Sequence, residues 1–80
     1  MQATYYWEHA NDESRCLRGK NAQELAEVMH ASGGEVGVIV DTGDDAPLIV
    51  RRVEAGRSVR DTAARMTAES RSIMRDKADA

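Results

Sequence analysis

The stretch Gly33-Gly34-Glu35-Val36-Gly37-Val38-Ile39-Val40-Asp41-Thr42-Gly43-Asp44-Asp45-Ala46-Pro47-Leu48-Ile49-Val50-Arg51-Arg52-Val53 decides the fold, because it reads as two β-branched runs joined by an acidic, glycine-containing turn. In the first run Val36, Val38 and Val40 share one side while Gly37 and Ile39 share the other, and no charge falls on either side. That pattern predicts a central strand. In the second run Leu48, Val50 and Arg52 alternate with Ile49, Arg51 and Val53, so the two runs can pair antiparallel across the turn at 41–47.

Working towards the N-terminus, Ala3 to His9 alternates Tyr5 and Trp7 with Thr4, Tyr6 and Glu8, an aromatic and β-branched run that predicts a strand. Turn residues Asn11-Asp12-Glu13 follow, and Ser14 to Arg18 reads as a short return strand whose basic residues suit a sheet edge. Asn21 with Glu24 three residues later opens a helix over Ala22 to Ala31, closed by Gly33 or Gly34. Beyond the hairpin, Ser58 is an N-cap with Asp61 in the first turn, and it predicts a second helix over Val59 to Lys77. Its apolar stripe is Val59, Ala63, Met66, Ile73 and Met74 with Ser70 inside it; residues 78–80 are expected to fray.

The order is strand, strand, helix, strand, strand, helix. An α+β fold follows, with a four-stranded, mostly antiparallel sheet and two helices on one face, as a single domain over 1–80. Phe is absent and aromatics are 4% of the 80 residues, so Val, Ile, Leu, Met and Ala must build the core. At roughly 25 cal/mol per Å² buried against about 1.5 kcal/mol of ordering cost per residue, such a core comes out near balance. That shortfall favours association, with a second copy as a homodimer or with a larger partner. No run of the sequence has the length of a membrane span, and a single cysteine, Cys16, cannot form an internal disulfide; both point to a cytoplasmic chain.

The net charge of −3 divides unevenly, with nine acids and three bases in residues 1–50 and five acids and eight bases in 51–80. Charge fields of this kind govern partner choice and encounter rate. The acidic set Glu24, Glu27, Glu35, Asp41, Asp44 and Asp45, with Tyr6 as an aromatic anchor, is the expected partner-binding surface. The alternative is a nucleic-acid surface built from Arg60, Arg71 and Arg75, joined by Arg51, Arg52 and Arg57, although the acidic balance and the lack of interleaved aromatics oppose it. Tyr5 and Trp7 are expected in the core.

Asp41-Thr42-Gly43 after a hydrophobic strand resembles the active-site signature of aspartic proteases, and Gly56-Arg57-Ser58 resembles the glycine-arginine element of their retroviral branch. The chemistry needs two carboxylates sharing a proton, and that family places a long flap-bearing excursion between the two elements. Here the intervening residues are the return strand, so the tripeptide reads as a turn and no catalytic residue is expected. Asp41, Asp44 and Asp45 lack the remaining ligands of a calcium loop, and His9, His30 and Cys16 have no zinc spacing, so neither metal nor cofactor is expected. The histidines read as a strand-end and a helix-surface residue. Cys16 reads as a half-buried structural cysteine across the hairpin from Trp7 or His9.

In size, acidity and layout the chain resembles the small phage-encoded anti-CRISPR inhibitors of bacterial CRISPR effectors, and similarly the toxin-immunity proteins. The resemblance implies a non-enzymatic inhibitor or modulator that occludes a surface of a larger, nucleic-acid-handling protein. It transfers no residue roles.

Overall fold

A computed structural model describes residues 1–43 and 47–78. Strands β1 (Gln2–Glu8) and β2 (Cys16–Gly19) are followed by helix α1 (Ala22–Ser32), strands β3 (Glu35–Asp41) and β4 (Ile49–Val53), and helix α2 (Val59–Ala78). The sheet order is β2-β1-β3-β4, and every neighbouring pair is antiparallel. The fold is the expected α+β arrangement, with β3 central and β2 at an edge.

Local chemistry sets the element ends. Asn21 Oδ1 accepts the Gln23 N–H at 3.0 Å and so caps α1. Ser58 Oγ accepts the Asp61 N–H at 3.0 Å, the same device at the start of α2. The β1–β2 turn is tighter than expected: Asp12 Oδ1 accepts both the Ser14 N–H at 3.1 Å and the Ser14 hydroxyl at 2.6 Å. Ser14 is thereby held in the turn, and the return strand starts at Cys16 instead. At the C-terminus α2 runs on through Ala78, where fraying was expected; residues 79–80 lie outside the described residues.

Alternation decides what is buried. Tyr5, Trp7, Val36, Val38 and Val40 face α1 and α2 and meet Ala22, Leu25, Ala26, Met66 and Ile73 in one core. Two buried polar links fasten the helices. The Ser70 hydroxyl donates to the Thr67 carbonyl at 2.8 Å, so the Tyr5 hydroxyl, 3.0 Å away, donates to Ser70 Oγ. Thr62, fully buried, accepts the Gly56 N–H at 2.9 Å and lies 2.7 Å from His30 Nε2, which ties α1 to α2. His30 is therefore an interhelical contact as well as an exposed side chain. Trp7 Nε1 donates to the Gly33 carbonyl at 2.7 Å just past α1. At Gly34, where φ is 94°, a Cβ would collide with the Glu8 carbonyl and Trp7 Nε1, so only glycine admits this close turn into β3. Among the described residues no helix is long and apolar enough to cross a membrane.

Candidate functional site

Both helices pack on one side of the sheet, and among the described residues no element covers the other side. Residues paired across antiparallel strands share a face, so the registers map this open face. One row runs Arg18, Tyr6, Gly37, Arg52 across β2, β1, β3 and β4. The next runs Thr4, Ile39, Val50, and Lys20 reaches it from beyond β2, with Nζ 3.0 Å from Thr4 Oγ1 and 3.2 Å from the Ala3 carbonyl. A third row joins Cys16, Glu8 and Glu35, and Gln2 with Asp41 forms the fourth.

Tyr6 is the anchor of this face. Its ring edge occupies the space that a Cβ at position 37 would take, so the absent side chain of Gly37 lets the phenol lie flat across β3. The residue is only 8% exposed although it lies outside the helix-covered core. Burial and the Glu8 and Glu35 carboxylates push the phenol's pKa up, and the Arg52 guanidinium partly offsets them. Arg52 Nη1 bonds Glu35 Oε1 at 2.9 Å, an exposed pair that orients both groups and contributes little to stability.

Beside Tyr6, a shallow depression of about 180 Å³ is lined by Gln2, Thr4, Arg18, Ile39, Asp41 and Leu48. Leu48 and Val50 are 56% and 58% exposed, the largest exposures among the core-type side chains of the hairpin. Among the described residues Arg18, Lys20 and Arg52 balance Glu8, Glu35 and Asp41, so that part of the face combines apolar side chains with an even mixture of charge.

The four described acids of the expected acidic surface, Glu24, Glu27, Glu35 and Asp41, do not share one face. Glu35 and Asp41 stand on the open side at opposite ends of β3, roughly 20 Å apart at ~3.3 Å per residue. Glu24 and Glu27 are exposed on α1, in the helix layer on the other side of the sheet. Asp44 and Asp45 lie outside the described residues. Tyr6 belongs to the open face, yet as a buried ring rather than a projecting one.

The arginine edge is divided as well. Arg60, Arg71 and Arg75 are exposed on α2 together with Ala64 and Ala68, in the layer that also carries Glu24 and Glu27. Arg51 and Arg52 point to opposite faces: Arg51 pairs with Glu69 of α2 at 3.4 Å, and Arg52 pairs with Glu35. Cys16 lies opposite Glu8, not Trp7 or His9, and its thiol is exposed rather than half-buried, because Ser14 is held in the turn and the shortened strand starts at Cys16.

At Asp41 the carboxylate Oδ1 accepts the Gly43 N–H at 2.9 Å, an Asx turn that gives the Asp-Thr-Gly tripeptide a local structural role. Among the described residues no group of three or more His, Cys, Asp or Glu side chains is placed to hold a metal ion.

Sequence reasoning missed Arg18, Ile39, Leu48 and Val50 as surface-forming residues. The signal was present in the alternation of the hairpin, which groups Gly37 and Ile39 with Val50 and Arg52. It became readable only once both helices were assigned to the valine side. No family model matches the chain, and no curated protein or solved structure matches it.

Proposed function

We propose that the chain is a non-catalytic binding protein that occludes a surface of a larger protein and engages it through the open face of the sheet. One observation carries this reading: the uncovered face joins the Arg18-Tyr6-Arg52 row to the apolar set Ile39, Val50 and Leu48. Arg is among the side chains that dominate binding hot spots, and the Tyr6 ring, already seated on Gly37 and 8% exposed, braces the face between Arg18 and Arg52.

The even charge of this face favours a protein over nucleic acid. Phosphates would meet Glu8, Glu35 and Asp41 among the bases, and backbone binding depends on an excess of positive charge. A sheet of four strands ~4.8 Å apart and about 23 Å long offers a footprint of roughly 400 Å², near half of the ~800 Å² per partner of a stable interface. The partner must therefore be large enough to reach the rim as well. The overall charge of −3 suits a partner with a basic surface, such as a nucleic-acid-handling protein, and a CRISPR effector belongs to that class. The exposed free thiol of Cys16 suits action in a reducing cytoplasm.

The test is cross-linked capture from host lysate with the wild type and with Ile39→Asp, whose carboxylate would stand in the middle of the apolar set. The reading expects one captured protein that the variant loses while keeping its circular dichroism spectrum. A variant that retains the captured protein in full would refute it.

A further inference from the structure

We infer that the outer edge of β4 is a second contact, and that it accepts an extended acidic and apolar segment of the partner as a fifth strand. This inference rests on the reading that the chain binds a protein. Among the described residues β4 ends the sheet, and no strand neighbours its outward backbone groups. An added strand is held by main-chain bonds and selected by alternate side chains.

The surroundings of β4 set those side chains. On the helix side, a groove of about 240 Å³ between β4 and the end of α2 is lined by Ile49, Arg51, Ile73, Asp76 and Lys77. Ile49 and Ile73 form its apolar floor; Arg51, which also reaches Glu69 at 3.4 Å, and Lys77 stand with Asp76 at its walls. The side chain opposite Ile49 falls into this groove. On the open side, a side chain opposite Val50 covers a valine that is 58% exposed as it stands.

Arg51 and Arg52 are adjacent, so their guanidinium groups lie on opposite sides of the sheet, with side chains 58% and 69% exposed. A strand carrying two consecutive carboxylates would meet one arginine on each side. Paired antiparallel to Val53 through Ile49, the matching segment reads apolar, acidic, acidic, apolar, apolar. A second copy of β4 is the wrong occupant, since centring two such strands on Arg51 sets like charges opposite each other.

The probe is a synthetic peptide with the core valine, glutamate, glutamate, valine, valine, titrated into isotope-labelled protein, with a peptide bearing lysine for glutamate as its counterpart. Slowed amide exchange within Ile49–Val53 and at least tenfold weaker binding of the lysine peptide are expected. Arg51→Glu with Arg52→Glu should invert the preference, and Arg51→Gln with Arg52→Gln, for use where the reversed charges disturb the sheet, should erase it. Unchanged exchange in β4, or a preference that survives both pairs of substitutions, would overturn the inference. The two readings are separated with the wild type: partner capture lost in Ile39→Asp while the peptide fails to bind the wild-type protein would remove the edge contact alone.

Discussion

The ring edge of Tyr6 lies in the space that a side chain at Gly37 would occupy, so the two residues together make the flat centre of the open face. A Cβ at position 37 would also strike the Arg51 carbonyl of β4. Gly37→Ala is therefore expected to cost about 1–3 kcal/mol, the range for overpacking a fitted site. The denaturation midpoint measures it. Adding Tyr6→Ala should recover part of that loss, since one of the two collisions is then relieved; strictly additive losses would contradict the arrangement.

Tyr5 and Ser70 join the sheet to α2 through a buried hydrogen bond of 3.0 Å. Ser70→Ala strands the Tyr5 hydroxyl and should cost about 1–3 kcal/mol, whereas Tyr5→Phe removes the donor itself and should cost closer to ~1 kcal/mol. The double variant should be little worse than Tyr5→Phe alone. A double-mutant cycle by urea unfolding checks this, and additive losses would show that the two groups act independently.

Ionisation of Tyr6 links the open face to pH. Its folded pKa is raised by burial, then by Glu8 and Glu35. A raised folded value means that the native state holds the phenolic proton more tightly than the unfolded chain. The contribution of Tyr6 to stability is therefore constant below the unfolded value of about 10 and is lost as pH rises from there through the folded value. Spectrophotometric titration should show Glu35→Gln moving Tyr6 down towards its ordinary pKa and Arg52→Gln moving it up.

Much of the fold was legible because its signals are local. Val36, Val38 and Val40 declare a buried strand face within five residues, and Asn21 and Ser58 mark helix starts through bonds to backbone groups two or three positions away. The polar links were not legible. Ser70 finds Tyr5 across 65 positions and Thr62 finds His30 across 32, and no short-range pattern encodes either pairing. Cys16 was misplaced because two bonds from Ser14 to one Asp12 oxygen shorten the returning strand. Alternation already separates Tyr6 from Tyr5; the candidate site needed one further fact, which side of the sheet the helices cover, and this places Ile39 and Val50 on the open side with Tyr6.

The α2 arginines provide a contrasting prediction. Arg60, Arg71 and Arg75 could neutralise three phosphates, which corresponds to a slope near −2.7 in log affinity against log salt. With Glu24 and Glu27 exposed in the same layer, the free protein is expected to bind duplex DNA no more tightly than ~0.1 mM at physiological salt, the weak end of non-specific binding. Fluorescence anisotropy at two salt concentrations measures this. Submicromolar, salt-sensitive binding that Arg60→Glu, Arg71→Glu and Arg75→Glu abolish would transfer the function from the sheet to the helix.

The central claim is that the uncovered sheet face is the binding surface, and quantitative cross-linked capture with wild type, Ile39→Asp and the triple α2 variant tests it most directly. At equal expression and unchanged circular dichroism, Ile39→Asp should lose at least tenfold of the captured partner while the triple α2 variant retains it. Full capture by Ile39→Asp, with loss in the α2 variant, would contradict the account.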